Sequence, residues 1–134
     1  MATKGPIECS VITPERQVLS TSANAVVFPA HDGLVGILNG RAPLLCELGT
    51  GVLRVDSTEG GMQEVFIDAG FAQVLNNEVT ILTERAELAE NISRSAAEKA
   101  LSEAEALPAH DEASVVARQK AIARAKTQVS LAKK

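Results

Sequence analysis

After Glu84 this chain contains no glycine, and its only proline is Pro108. Before that point the two residue types, together with Asn and Asp, recur at short intervals. Glycine and proline end helices and shape turns, so their distribution divides the chain into two halves with different local rules. The first half supports many short strands. The second half allows long helices with one interruption.

The first half keeps a period of two. Ile7, Cys9 and Val11 alternate with Glu8 and Ser10. Leu53 and Val55 alternate with Arg54 and Asp56. Val65 and Ile67 alternate with Glu64, Phe66 and Asp68, and Val79 and Ile81 with Glu78 and Thr80. Such runs predict half-buried antiparallel strands. Turn signals fall between them at Thr13-Pro14-Glu15, His31-Asp32-Gly33, Asn39-Gly40, Gly49-Thr50-Gly51, Glu59-Gly60-Gly61 and Asn76-Asn77. The pattern predicts a small antiparallel β-sandwich or barrel over residues 1–86.

In the second half Ala, Glu, Lys and Arg dominate, which favours helix. Ser95 and Glu98 fit a capping box, with Asn91 or Ser93 as earlier starting points. Ala97, Ala100, Leu101, Ala104 and Leu107 form a stripe at helical spacing. The break at Leu107-Pro108-Ala109-His110-Asp111 precedes a second helix predicted from Glu112 to Ala132, with Val115, Ile122, Ala125, Val129 and Ala132 on one face. Residues 87–134 therefore read as an antiparallel two-helix hairpin. Its seam is rich in alanine, which buries little apolar surface, so the hairpin is expected to form easily and to be held weakly to the sandwich.

Composition removes several classes of function. No run reaches the ~18 apolar residues of a membrane-spanning helix, and Met1 to Pro6 lack the apolar core of a signal peptide, so the protein is expected to stay where it is made. Phe28, Phe66 and Phe71 are the only aromatics, too few for a platform that stacks nucleic-acid bases. The net charge of −4 opposes a general phosphate-binding surface. Cys9 and Cys46 stand 37 positions apart without a Cys-x-x-Cys or a nearby His pair. They read as small buried thiols, with a disulfide left open and a metal site disfavoured.

No catalytic constellation converges. His31-Asp32-Gly33 is a natural turn sequence, and His110 lies in the interhelical break. Ser10, Ser20 and Ser22 sit outside any Gly-x-Ser-x-Gly elbow, and no phosphate-cradling glycine motif occurs. The residues alone point to a non-enzymatic binding or regulatory module with no cofactor. Charge gives a second clue. Residues 111–134 hold six basic and two acidic side chains, a net +4 that leaves −8 elsewhere. Arg118, Lys120, Arg124 and Lys126 are candidates for docking an acidic partner, with a solvated helix face as the alternative.

The stretch "FPAHDGLVGILNGRAPLLCELGTGVLRV", Phe28 to Val55, resembles the signature of the ε subunit of F-type ATP synthases. That signature typically reads Phe/Tyr-Pro-x-x-x-Gly-x-x-Gly-Ile-Leu-Pro-Gly-His-Ala-Pro-Leu-Leu. "VITPER" at Val11 to Arg16 is similar to the family's opening strand and turn, and "GFAQVLNNEVTILTERAELAENI", Gly70 to Ile92, to its last strands and the entry into the helices. The resemblance spans nearly the whole chain. It implies a β-sandwich that binds the γ subunit and the membrane ring of c subunits, coupling ion flow to ATP synthesis. It also implies a helical domain that reaches the α/β catalytic head and restrains ATP hydrolysis. No nucleic acid is implied. The location implied is peripheral, on the cytoplasmic side of a bacterial inner membrane or the stromal side of a thylakoid.

Under that resemblance the loop with Gly40, Arg41, Ala42, Pro43 and Leu44 faces the ring. Leu44 and Leu45 anchor it, and His31-Asp32 forms the neighbouring tip. Arg118, Lys120, Arg124 and Lys126 then face the acidic loop of a catalytic β subunit. The chain departs from the signature at Asn39, where the family has Pro, and at Arg41, where it has His. It also departs from an ATP-binding motif, Ile/Leu-Asp-x-x-Arg-Ala, known in some relatives: Ser93 and Ala96 stand at the Asp and Arg positions. That argues against tight ATP binding. The rival reading is a free-standing sandwich adaptor with a helical arm.

Overall fold

The computed structural model describes residues 6–132. It divides into two compact units, Met1–Leu88 and Ala89–Lys134. The first contains β1 (Ile7–Ile12), β2 (Gln17–Ala30), β3 (Gly33–Leu38), β4 (Leu44–Ser57), β5 (Gly61–Leu75), β6 (Glu78–Leu82) and β7 (Arg85–Leu88). The second contains a short 3-10 turn (Ala89–Asn91), α1 (Arg94–Glu105) and α2 (Glu112–Leu131). Lys133 and Lys134, counted above in the basic tail, lie outside the described residues, as do the first five.

The strands follow the order β1-β6-β5-β4-β2-β3, and β1 also pairs with β2. That extra pairing curls the sheet onto itself and protects backbone groups that an open sheet would leave unpaired. All pairings are antiparallel except β1 with β6. The inward positions are those of the period-two pattern: Ile7, Cys9, Val11, Leu53, Val55, Val65, Ile67, Val79 and Ile81 all belong to one core with Val26, Phe28 and Ile37. β-branched residues dominate it, as suits a pleated surface.

Three places depart from the sequence reading. Gly49-Thr50-Gly51 is no turn. It lies inside β4, where Thr50 pairs with Asp68 and Gly51 with Ile67. A Cβ on Gly51 would stand 2.9 Å from Pro29 Cβ, so this glycine serves a close approach of two strands. Alternation also fails in β5, where Phe66 and Asp68 are buried along with Val65 and Ile67. Asp68 is accommodated because its carboxylate accepts from Thr50 Oγ1 at 2.6 Å, and a buried charge tolerates its site only when hydrogen-bonded. Finally, the boundary expected at residue 86 falls inside a strand: Arg85–Leu88 forms β7 by pairing with Val65–Asp68.

The switch of β5 from β6 to β7 forms a corner. Ala69 and Gly70 have φ of +63° and +116°, and β5 pairs with β6 from Phe71 onward and with β7 up to Asp68. Thr83 Oγ1, buried in the gap between β6 and β7, accepts from the Asp68 N–H at 3.2 Å and lies within 3.1 Å of the Asp68 and Arg85 carbonyls.

In the second unit the helix starts have identifiable causes. Ser93, not Ser95, caps α1: its Oγ accepts from the Ala96 N–H at 3.2 Å. Glu98 instead lies 3.9 Å from Arg94, one turn back. Asp111 caps α2, accepting from the Ser114 N–H at 2.7 Å, while Ser114 Oγ accepts from the Asp111 N–H at 3.0 Å. This reciprocal pair satisfies two otherwise orphan donors. The helices pack on each other as a hairpin, with Ala97, Ala104 and Ala125 buried. Leu107 falls beyond the end of α1 and is exposed.

Both cysteines are free thiols, and burial pushes Cys9 up from 9.0 to about 12. Between those values the folded chain holds a proton that the unfolded chain releases. Stability therefore falls as pH rises above about 9, by up to ~1.4 kcal/mol per pH unit from this one group. Urea midpoints at pH 8, 9 and 10 should show the decline, and Cys9→Ala should flatten it. Parallel slopes in the two proteins would refute the assignment.

Candidate functional site

The residues of the proposed ring-facing surface lie at the two ends of β3. At its start, His31 and Asp32 form the exposed turn from β2, and the His31 N–H donates to the Glu47 carbonyl at 3.0 Å. That bond sets the tip beside the start of β4, where burial first, and the Asp32 carboxylate second, push the Cys46 thiol up. At the end of β3 the chain turns through Asn39 and Gly40. Gly40 has φ of +85°, a conformation that favours glycine. The Arg41 N–H donates to the Leu38 carbonyl at 3.3 Å, and Arg41, Ala42 and Pro43 are exposed.

The two tips are thus not neighbours. The six residues of β3 separate them by roughly 17 Å, at the ~3.3 Å rise of a strand. What joins them is β3 itself. It is an end strand, paired on one side to β2. Its outward positions carry Leu34 and Leu38, 67% and 66% exposed. Two polar tips with two bare leucines between them make one continuous edge. The anchoring expected of Leu44-Leu45 is carried by Leu44 alone: it packs against the core, whereas Leu45 is 69% exposed. Alternation explains this, because adjacent strand residues face opposite sides.

Leu45 belongs to a second surface that the sequence reading missed. On the outer face of β4, β5 and β6, Phe71 stands opposite Leu82 and Leu45 opposite Gln73, with Leu75 one further step along β5. Phe71, Leu75 and Leu82 are each more than two-fifths exposed. Together these side chains form an exposed apolar cluster on that face, where scattered single leucines would be ordinary.

The four basic residues of α2 do not form one stripe. At ~100° per residue, Lys120 and Arg124 lie within ~40° of each other, while Arg118 and Lys126 lie on another side of the helix. Arg118 ties the two helices together. Its Nη2 and Nε donate to the Glu105 carbonyl at 3.1 and 3.4 Å, capping the last turn of α1. Lys120 and Lys126 are exposed and Arg124 is half-buried. In the first helix, Ser93 is occupied as the cap of α1 and Ala96 offers no polar group. Among the described residues no three His, Cys, Asp or Glu side chains cluster as a metal site would require, and no helix is long and apolar enough to cross a membrane.

Comparison with known proteins bears on the family and the fold. Residues 6–89 match the family model of the ATP synthase delta/epsilon chain, beta-sandwich domain. The ATP synthase epsilon chain of Rhodopirellula baltica is 39% identical over 123 residues, covering 92% of this chain and 95% of that one. That of a Synechococcus strain is 46% identical over 94 residues, covering 70% and 68%. Among solved structures, a chain of the Euglena gracilis mitochondrial ATP synthase, in an assembly described as OSCP/F1/c-ring, superposes with a TM-score of 0.81. It is 24% identical and the match covers 97% of this chain and 87% of that one, a likeness of fold.

Proposed function

This chain belongs to the ATP synthase epsilon-chain family, and we propose from that premise that it works as a non-catalytic subunit of the central stalk. In this reading the β unit joins the γ subunit to the ring of c subunits, so that rotation driven by ion flow reaches the catalytic head. The observation that carries it is the pairing of two separate exposed surfaces on one compact β unit. A linker between two rotor parts requires two faces. The edge of β3, with His31, Asp32, Leu34, Leu38 and the Gly40–Leu44 loop, suits the ring. The apolar outer face around Phe71 and Leu82 suits the stalk, where a permanent interface buries apolar area. The subunit then sits peripherally on the cytoplasmic side of the membrane, held there by the complex.

The test is a native mass measurement on the full chain mixed with a catalytic head that contains γ but has been stripped of its own ε. One added copy of 14.1 kDa per head is the expected result. No added mass, with both components folded, would favour the free-standing adaptor instead.

The helical unit is proposed to restrain ATP hydrolysis through contact with an acidic segment of a catalytic subunit. Lys120 and Arg124 are its best candidates, since they share a face of α2. Reversing both charges should raise ATP hydrolysis by the reconstituted head roughly threefold to tenfold at low salt, with a smaller effect at ~0.15 M, where exposed charges are screened. Equal hydrolysis with and without the reversal would remove Lys120 and Arg124 from that contact.

A further inference from the structure

The loop that carries Arg41 is tied to a distant turn by one side chain. The Gly40 N–H donates to Asn77 Oδ1 at 2.9 Å, across 37 positions of sequence. Asn77 is the second residue of the β5–β6 turn and has φ of +63°, next to Asn76 at +50°. Its own carbonyl accepts from the Glu8 N–H at 2.9 Å. One residue therefore joins the entry to β1, the β5–β6 turn and the β3–β4 loop.

This arrangement is not the most stable one the position allows. A left-handed backbone favours glycine, and asparagine only tolerates it. The tie also fixes the amide. An N–H donor needs the carbonyl oxygen as its acceptor, so Asn77 Nδ2 is turned away from Gly40. There it is buried and has no hydrogen-bond partner. A buried donor without a partner costs stability. A glycine would remove both penalties and keep the turn. What only a side chain with an acceptor supplies is the hold on Gly40.

We propose that Asn77 is a positioning residue for docking: by holding Gly40 it presents Arg41 and Pro43 to the ring in a fixed shape. The role rests on the reading of the β3 edge as the ring-facing surface. Backbone strain and an orphaned polar group retained beside an exposed loop mark a functional constraint more than a packing one.

Two substitutions in the full chain separate the possibilities. Asn77→Gly keeps the turn and removes both the acceptor and the orphan donor. Its melting temperature should equal or exceed that of the parent, yet hydrogen exchange at the Gly40 amide should quicken roughly tenfold, the equivalent of one lost hydrogen bond. Binding to ε-depleted ATP synthase containing the c ring should weaken roughly threefold to tenfold. Asn77→Asp retains an oxygen acceptor and tolerates the same backbone, so it should keep Gly40 protected and docking near the parental level. A lower melting temperature for Asn77→Gly with unchanged Gly40 exchange would make the residue merely structural and overturn the proposal. Faster exchange with undiminished docking would overturn the positioning role. If the parent chain itself fails to dock while Gly40 exchange still responds, the rotor reading falls and this role falls with it.

Discussion

Gly70→Ala should lower the melting temperature of the β unit by about 20 °C. A Cβ at this position would collide with the Leu82 carbonyl oxygen and stand 2.8 Å from Thr83 Cα. Both obstacles are backbone at the β6–β7 gap, and Thr83 is held there by its hydroxyl contacts to the Asp68 and Arg85 backbone. Nothing flexible is available to move aside. The residue would also adopt a φ of +116°, which side chains other than glycine's rarely reach. Backbone strain and displacement of a β corner together should cost about 4 kcal/mol or more, a large part of the 5–15 kcal/mol that holds an ordinary domain together. For a unit of this size that corresponds to a fall in melting temperature of about 20 °C. Gly61→Ala is the control. Gly61 also has a positive φ, +71°, but a Cβ there meets nothing within 4 Å. It should cost only about 1 kcal/mol. Thermal melts followed by circular dichroism decide the matter. A Gly70→Ala melt within a few degrees of Gly61→Ala would mean that the corner yields, and that β5 does not change partners as described.

The same corner shows where sequence pattern stops being informative. Alternation located Leu53, Val55, Val79 and Ile81 because each of those strands buries one face. Around Val65–Asp68 both faces are buried, and a period of two then carries no signal. β7 was hidden for another reason. Arg-Ala-Glu-Leu has the composition of a helix, and only its pairing with β5 makes it a strand, a case of tertiary context overriding propensity. The helical unit was more legible, since absence of glycine and the single break at Pro108 leave few alternatives. There the open points were local: of the starting points Asn91, Ser93 and Ser95 the cap is Ser93, and Arg118 closes the hairpin.

The candidate site was legible only in part. Gly40, Arg41 and Pro43 announce a shaped loop, and the resemblance to a family signature gave it a purpose. The bare leucines could not be identified, because β3 reads Gly-Leu-Val-Gly-Ile-Leu, apolar at nearly every position. Which of Leu34 and Val35 faces the core depends on register, and a shift of one residue exchanges them. Asn77 read as an ordinary turn residue. Its bond to Gly40 joins segments far apart in sequence, and no local pattern encodes it.

Arg41→Glu should separate docking from stability more cleanly than any other single change. The side chain is exposed, and the loop's own hydrogen bonds from Gly40 and Arg41 are made by backbone N–H groups. A surface substitution that disturbs no cap, core or buried bond usually changes stability by less than about 0.5 kcal/mol, so the melting temperature should stay within ~3 °C. Docking is a different matter. Arginine carries a permanent charge where the family signature has histidine, and glutamate inverts it. Binding to the ring-containing complex should fall roughly tenfold at low ionic strength and recover part of that loss at ~0.15 M salt, where charges beyond ~8 Å are screened. Arg41→Ala should lie between the two, because it removes attraction without adding repulsion. Salt dependence distinguishes the causes. A loss that persists unchanged at high salt would mean that Arg41 contributes shape and hydrogen bonds. Equal binding by parent, Ala and Glu variants at every salt concentration would remove Arg41 from the interface and leave the leucines of β3 as its substance.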